Sequence, residues 1–245
     1  MNTRTAAEQG LRSLFHYQPF NVDRLKPIFT ENVIYCSDPA QFNDPWDCRP
    51  CFSTAMLDSP EGYERVLQWF VRVGHKQQPI SDEERQRRVE ILRNDRAMLE
   101  GFIEQLTQQM YEAVRAQYRV YCLLPQADAP LMWAHYAASH TGVCLEFTVQ
   151  NSLFCGALPV SYCDLYPEFD VSDNTEDRAL DTLLSKSDVW EYEREFRLIA
   201  ATSDYAFPGL PRCRKDNFIP MPTGALKSVT MGCCVRRPMT DAIPE

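Results

Sequence analysis

Residues 131–147 read LMWAHYAASHTGVCLEF and hold Trp133, His135, Tyr136, His140, Cys144 and Glu146 around one glycine, Gly142. Titratable groups interleaved with aromatics suit the wall of a cleft. Rings hold a flat ligand, while imidazole and carboxylate move protons or stabilise charge. A second stretch, 190–197, reads WEYEREFR and carries Glu191, Glu193 and Glu195 two apart. On a strand that spacing puts all three carboxylates on one face. Repulsion there raises the pKa of at least one. Such a site polarises a substrate hydroxyl or stabilises a developing cation. The alternative is a solvated edge strand with Arg194 and Arg197 as partners.

Two shorter islands complete the set. Phe15-His16-Tyr17 closes a short apolar run. His16 there is either a site residue or a core histidine bonding a carbonyl. Phe42-Asn43-Asp44-Pro45 is most simply a turn, because Asn and Asp bond their own backbone and Pro fixes φ. Its neighbours Phe42 and Trp46 also suit a ring-binding wall. His135 and His140 are five apart, off the spacing of one helix face, so the two alone do not predict a metal site. The fourth histidine, His75, ends a helix, where a cation complements the dipole.

The elements that must position these islands follow from periodicity. Strands are expected over 13–17, 33–36, 119–124, 143–149, 158–162, 195–201, 217–221 and 228–233. In 143–149 the residues Val143, Leu145, Phe147 and Val149 share a face. Helices are expected over 21–29, where Pro27 limits or kinks the run, and over 61–75, 131–138 and 176–189. Ser81-Asp82-Glu83-Glu84 is a capping box and opens one long charged helix to about 118. Residues 170–177 read as an acidic loop. The order is mixed, with no βαβα alternation. It predicts an α+β fold with a largely antiparallel sheet flanked by helices. We expect one domain over 11–245 with a helical insertion at about 61–118.

Bulk properties narrow the function. With 245 residues the chain can bury a substantial core. Its net charge is −9, from 25 basic and 34 acidic residues, which argues against a broad nucleic-acid-binding face. The opening residues have no signal-peptide run. No stretch approaches the ~18 apolar residues of a membrane helix. The expectation is a cytoplasmic protein with its ten cysteines reduced. Cys48 and Cys51 are spaced like zinc ligands, but structural zinc needs four and only this pair has the spacing. No metal is expected. Walker A, GxGxxG, GxSxG and HExxH motifs do not occur.

The islands LFHYQ (14–18), FNDPWD (42–47), MWAHYAASHTGVCLEF (132–147) and WEYEREFRLI (190–199) resemble, in this order, a large uncharacterised bacterial domain family. That resemblance runs from about 11 to 232, and the family carries no assigned activity. A second resemblance is to ADP-ribosyltransferases of the DNA-modifying toxin and RNA 2′-phosphotransferase kind. It rests on an opening strand that ends in His and a helix that starts at Asn. It implies an ADP-ribosyltransferase-like fold and NAD as substrate. It also implies a transferase or glycohydrolase, acting as a toxin or phage-defence effector on nucleic acid or protein. His16 then contacts the NAD ribose, and Glu195, paired with Glu193, supports the oxocarbenium-like transition state. Tyr17 or Tyr136 stacks on nicotinamide, and Asn43, Asp44, Trp133 and His135 complete the nucleotide pocket. Gln18 stands where those families often carry Thr. Two other readings compete: a hydrolase or nuclease using His135, His140, Asp44 and Glu146, with or without a metal, and a non-catalytic sensor of a small ligand.

Overall fold

Asn21 starts the first helix. Its side-chain oxygen accepts the N–H groups of Asp23 at 2.9 Å and Arg24 at 3.2 Å, the role that favours Asn at helix starts. A computed structural model describes residues 4–77, 81–165, 168–172, 178–204 and 206–235. The side chain of His75 and most of the acidic loop at 170–177 lie outside the described residues. In chain order the elements are β1 (Ser13–Gln18), α1 (Val22–Thr30), β2 (Val33–Tyr35), β3 (Cys51–Phe52), α2 (Pro60–Gln77), α3 (Asp82–Asn94), α4 (Arg96–Gln117) and β4 (Tyr118–Leu123). They continue as α5 (Pro130–His135), β5 (Val143–Thr148), β6 (Leu158–Pro159), β7 (Ser161–Cys163), β8 (Glu168–Phe169), α6 (Arg178–Leu183), β9 (Ser185–Ser187), β10 (Phe196–Ala201), β11 (Phe218–Pro220) and β12 (Leu226–Met231). The class is α+β.

The chain divides into two compact units. The first comprises Met1–Asn43, Gln117–Tyr162 and Asp188–Glu245. Its strands pair antiparallel in the orders β1-β5-β12, β4-β10-β6 and β11-β2. β5 holds the middle of its sheet, so its alternate residues Val143, Leu145 and Phe147 turn into the core beside Leu14, Leu123, Phe196 and Leu198. Phe147 stacks on Phe154 at 4.5 Å. Each such side chain contributes about 1.5–3 kcal/mol through burial. Glu146, out of phase on β5, accepts hydrogen bonds from Ser13 and Ser228 and pairs with Lys227, joining the three strands of its sheet.

The second unit comprises Asp44–Ala116 and Cys163–Ser187. Its core is Val66, Leu67 and Val71 of α2, Leu92 of α3, and Leu99 and Ile103 of α4. The short strands β3 and β8 pair in parallel. The single long helix expected after Ser81 is two. Asp95 breaks it, because its carboxylate accepts the Met98 N–H at 3.0 Å and starts α4 afresh. The helix expected over 176–189 ends at Leu183. There the Ser185 hydroxyl bonds the Asp181 carbonyl at 2.7 Å and takes up an open helix end. Among the described residues, no helix is long and apolar enough to cross a membrane.

Candidate functional site

Residues of the first, third and fourth islands, with Phe42 of the second, meet on one face of the β4-β10 region of the first unit. Arg197 lies opposite Cys122 in the β10–β4 ladder, and Leu124 bridges to Phe15. Strand alternation then puts Arg197, Cys122, Leu124, Phe15 and Tyr17 on one face. His16 is out of phase. Its ring stacks on Tyr121 at 4.1 Å, on the face that carries Leu14, Leu123 and Leu198. Of the first island, it is Tyr17 that joins the site. His16 and Glu195, expected to share a nucleotide, stand on opposite faces.

His16 is a neutral structural histidine. Its Nδ1 is 2.7 Å from the Cys122 carbonyl, so Nδ1 carries the hydrogen and donates. Burial pushes its pKa down to about 4. This is the core histidine bonding a carbonyl that the sequence also allowed.

The carboxylates are not in the expected row. Asp188–Glu193 is a 3-10 turn and β10 begins only at Phe196. At three residues per turn, positions two apart point to different sides. Glu191 is exposed, whereas Glu193 and Glu195 are 3% and 2% exposed. Between them Arg194 takes φ 49°, a left-handed conformation that costs about 1–2 kcal/mol outside glycine. Each of the two buried carboxylates holds a charge-assisted hydrogen bond. Glu195 receives Arg197, itself 0% exposed, in a two-pronged pair of 2.9 and 3.2 Å. The Arg197 guanidinium also lies over the Phe42 ring at 5.4 Å. Glu193 instead accepts the Tyr136 phenol at 2.7 Å.

Rings extend outward from Tyr136, with His135 6.3 Å from it. His135 is 6.5 Å from Trp190, and Trp190 is 6.1 Å from Tyr192. His135 and Tyr192 are exposed. Trp133 donates its indole N–H to Ala127 and meets Tyr17 edge-on at 5.2 Å, while the Tyr17 hydroxyl donates to the Gln126 carbonyl. Burial raises the Tyr17 phenol and pushes the Cys144 thiol up to about 12. Cys144 is therefore a buried thiol, not a thiolate nucleophile.

A strained turn fixes the register. Ala138, Ser139 and His140 have φ of 47°, 52° and 65°. The N–H groups of Ser139, His140 and Gly142 bond the carbonyls of Ala134, Trp133 and Ala137, closing the end of α5. The turn needs glycine on both sides. A Cβ on Gly142 would run into the Gln18 carbonyl oxygen, and one on Gly232 into the His140 carbonyl oxygen. Runs of non-glycine residues held left-handed persist where the surroundings over-determine them, and functional sites are enriched in them.

The second island divides at the unit boundary, with Phe42 and Asn43 in the first unit and Asp44 in the second. Asn43 is exposed. Asp44 accepts the Trp46 N–H at 2.9 Å and so closes the expected turn. Cys48 sits at φ 56° with its thiol on Asp47. Among the described residues, no three His, Cys, Asp or Glu side chains group to hold a metal ion. Compared with known protein families, curated proteins and solved structures, the chain matches none of them.

Proposed function

We propose that the cluster around Glu193 binds NAD and breaks its bond between nicotinamide and ribose, passing ADP-ribose to water or to an acceptor in the cytoplasm. The observation that carries this reading is the Tyr136–Glu193 hydrogen bond, with His135 beside Tyr136 and in contact with Trp190. Aromatic faces attract a cationic ring, and the nicotinamide of NAD is a pyridinium. A carboxylate beside the rings suits the positive charge that develops on the sugar. The bond breaks with its electron pair moving to the nicotinamide nitrogen. The ribose carbon becomes oxocarbenium-like, and the nucleophile adds to it and sheds a proton. Glu193 stabilises the cationic stage, and the Tyr136 phenol fixes which way its carboxylate points.

The resemblance to ADP-ribosyltransferases supports a late Glu-x-Glu in this role, together with an ADP-ribosyltransferase-like fold. That resemblance matches Glu195 to the catalytic carboxylate, with Glu193 as its pair; Glu193 takes the role in this reading because Arg197 occupies Glu195. The competing use of Glu146 in a hydrolase or nuclease is disfavoured by its three partners, Ser13, Lys227 and Ser228.

Thermal denaturation with added NAD, run beside a nicotinamide assay, tests the reading. NAD should raise the midpoint of the wild type and not that of a Trp190→Ala variant. Stabilisation without nicotinamide release would make the cluster a ligand sensor, and neither effect would end the NAD reading.

A further inference from the structure

In the first unit, Asn217 gathers two cysteines and an arginine that the NAD reading does not use. It stands just before β11 in a left-handed conformation, φ 66°, which Asn adopts more readily than most non-glycine residues. That conformation closes a turn. The Asn217 N–H bonds the Arg214 carbonyl at 3.0 Å, and the Arg214 N–H bonds the Phe218 carbonyl at 2.7 Å. The Asn217 carbonyl then accepts the Cys36 N–H at 2.9 Å, and the Cys213 Sγ lies 3.9 Å from the same oxygen. The Asn217 side-chain oxygen accepts the Arg119 Nε–H at 2.8 Å. One residue thus ties together the end of β2, the segment that enters the turn, and β4.

The two cysteines are unequal. Cys36 is buried and Cys213 is partly exposed, and neither is in a disulfide. The Cys36 thiol hydrogen-bonds the Cys213 sulfur. That bond first, and the Arg119 guanidinium second, hold Cys213 below the usual thiol range against its own burial. Burial, with Cys213 beside it, pushes the Cys36 thiol well up. The outer sulfur therefore has thiolate character next to a cation, and the inner one keeps its proton behind it. Redox-sensing cysteines share this design: an accessible sulfur of low pKa poised next to a resolving thiol. In reducing compartments such disulfides are transient.

We propose that Cys36 and Cys213 form a reversible disulfide when the protein meets a peroxide. The Cys213 thiolate attacks one peroxide oxygen, so that an S–O bond forms and the O–O bond breaks. The departing oxygen takes up the proton that Cys213 had released to water. The Cys36 sulfur then attacks the Cys213 sulfur. The S–S bond forms, the S–O bond breaks, and the hydroxyl leaves as water with the Cys36 proton. The two thiols lose two electrons and the peroxide gains them; a thiol reductant reverses the link by exchange. The link spans 177 positions of the chain. It joins β2 to the segment whose Pro211 carbonyl and Cys213 N–H pair with Ala201, at the end of the strand that carries Arg197.

The test treats the full chain with a slight excess of hydrogen peroxide, alkylates the remaining thiols and reads the unreduced digest by mass spectrometry. A peptide linking Cys36 to Cys213 should appear, vanish on adding dithiothreitol, and fail to form when the chain is unfolded in urea. Cys36→Ala should leave the oxidised Cys213 as a sulfenic acid that dimedone labels, whereas Cys213→Ala should leave Cys36 unlabelled. The proposal is overturned if the folded wild type gives no Cys36–Cys213 link. Peroxide might instead join Cys36 to Cys122, or the exposed neighbours Cys233 and Cys234, whose sulfurs are 3.9 Å apart; either in place of the expected link overturns it too. So does dimedone labelling of Cys36 rather than Cys213.

Discussion

Two glutamates two residues apart have different jobs. Glu195 is locked to Arg197 in a fully buried ion pair, and weakening such a pair typically costs 3–5 kcal/mol. Glu195→Gln should therefore lower the melting temperature by several degrees in a denaturation scan. Glu193→Gln keeps a partner for the Tyr136 phenol and should leave the midpoint within about 1 kcal/mol of wild type. Tyr136→Phe removes one charge-assisted hydrogen bond and should slow nicotinamide release about 10- to 100-fold, the equivalent of 1.5–3 kcal/mol. The Glu-x-Glu spacing was legible in the sequence. Which carboxylate would be paired was not, because that depends on Arg194 at φ 49° and the 3-10 turn before it. Nothing in the local pattern marks a left-handed arginine. Arg197 as a partner was legible. Its burial was not, since charged residues are seldom fully buried.

At the scale of elements, the left-handed turn at 138–140 sets how α5 presents Trp133, His135 and Tyr136. Ser139→Gly removes a steric penalty of about 1 kcal/mol and should raise the unfolding free energy by somewhat less, since glycine also loosens the unfolded chain. Gly142→Ala should destabilise by more than that, because the added Cβ meets the Gln18 carbonyl oxygen. Urea titration reads both. The longer strands and most helices were readable from periodicity, and the inward set Val143, Leu145, Phe147 and Val149 is buried together; the short strands β3, β8 and β9 were not, and β9 lies inside the helix expected over 176–189. The break at Asp95 was hidden by the apolar period running through it. The face of β1 was misread for a plainer reason. Alternation says that His16 and Tyr17 diverge, but only the pairing of β1, β4 and β10 says which of them shares the face of Arg197.

Across the whole molecule, acid sensitivity follows from two groups far apart in sequence. His16 is neutral in the fold, with its pKa pushed from 6.5 to about 4 by burial. The unfolded chain binds the proton more readily, so stability is whole above about pH 6.5 and declines as pH falls towards 4. Glu146 is held charged by Lys227, Ser13 and Ser228, its pKa lowered from 4.5 to about 2. Its contribution is present above about pH 4.5 and is lost as pH falls through 2. Stability measured against pH should lose the first slope in His16→Asn and the second in Glu146→Gln. The mixed order of strands and helices allowed the α+β class to be read from the chain. The division into two units, with 163–187 returning to the helical one, rests on contacts distant in sequence.

In the proposed reaction Glu193, hydrogen-bonded to Tyr136, supports cleavage of NAD. The most direct measurement is free nicotinamide released from NAD by the wild type, Glu193→Gln and Glu195→Gln, with folding of each checked by circular dichroism. The wild type should release nicotinamide, and folded Glu193→Gln should lose roughly 100- to 1000-fold, the scale of one transition-state electrostatic contact. Release by Glu193→Gln at the wild-type rate would contradict it, as would a wild type that neither releases nicotinamide nor is stabilised by NAD.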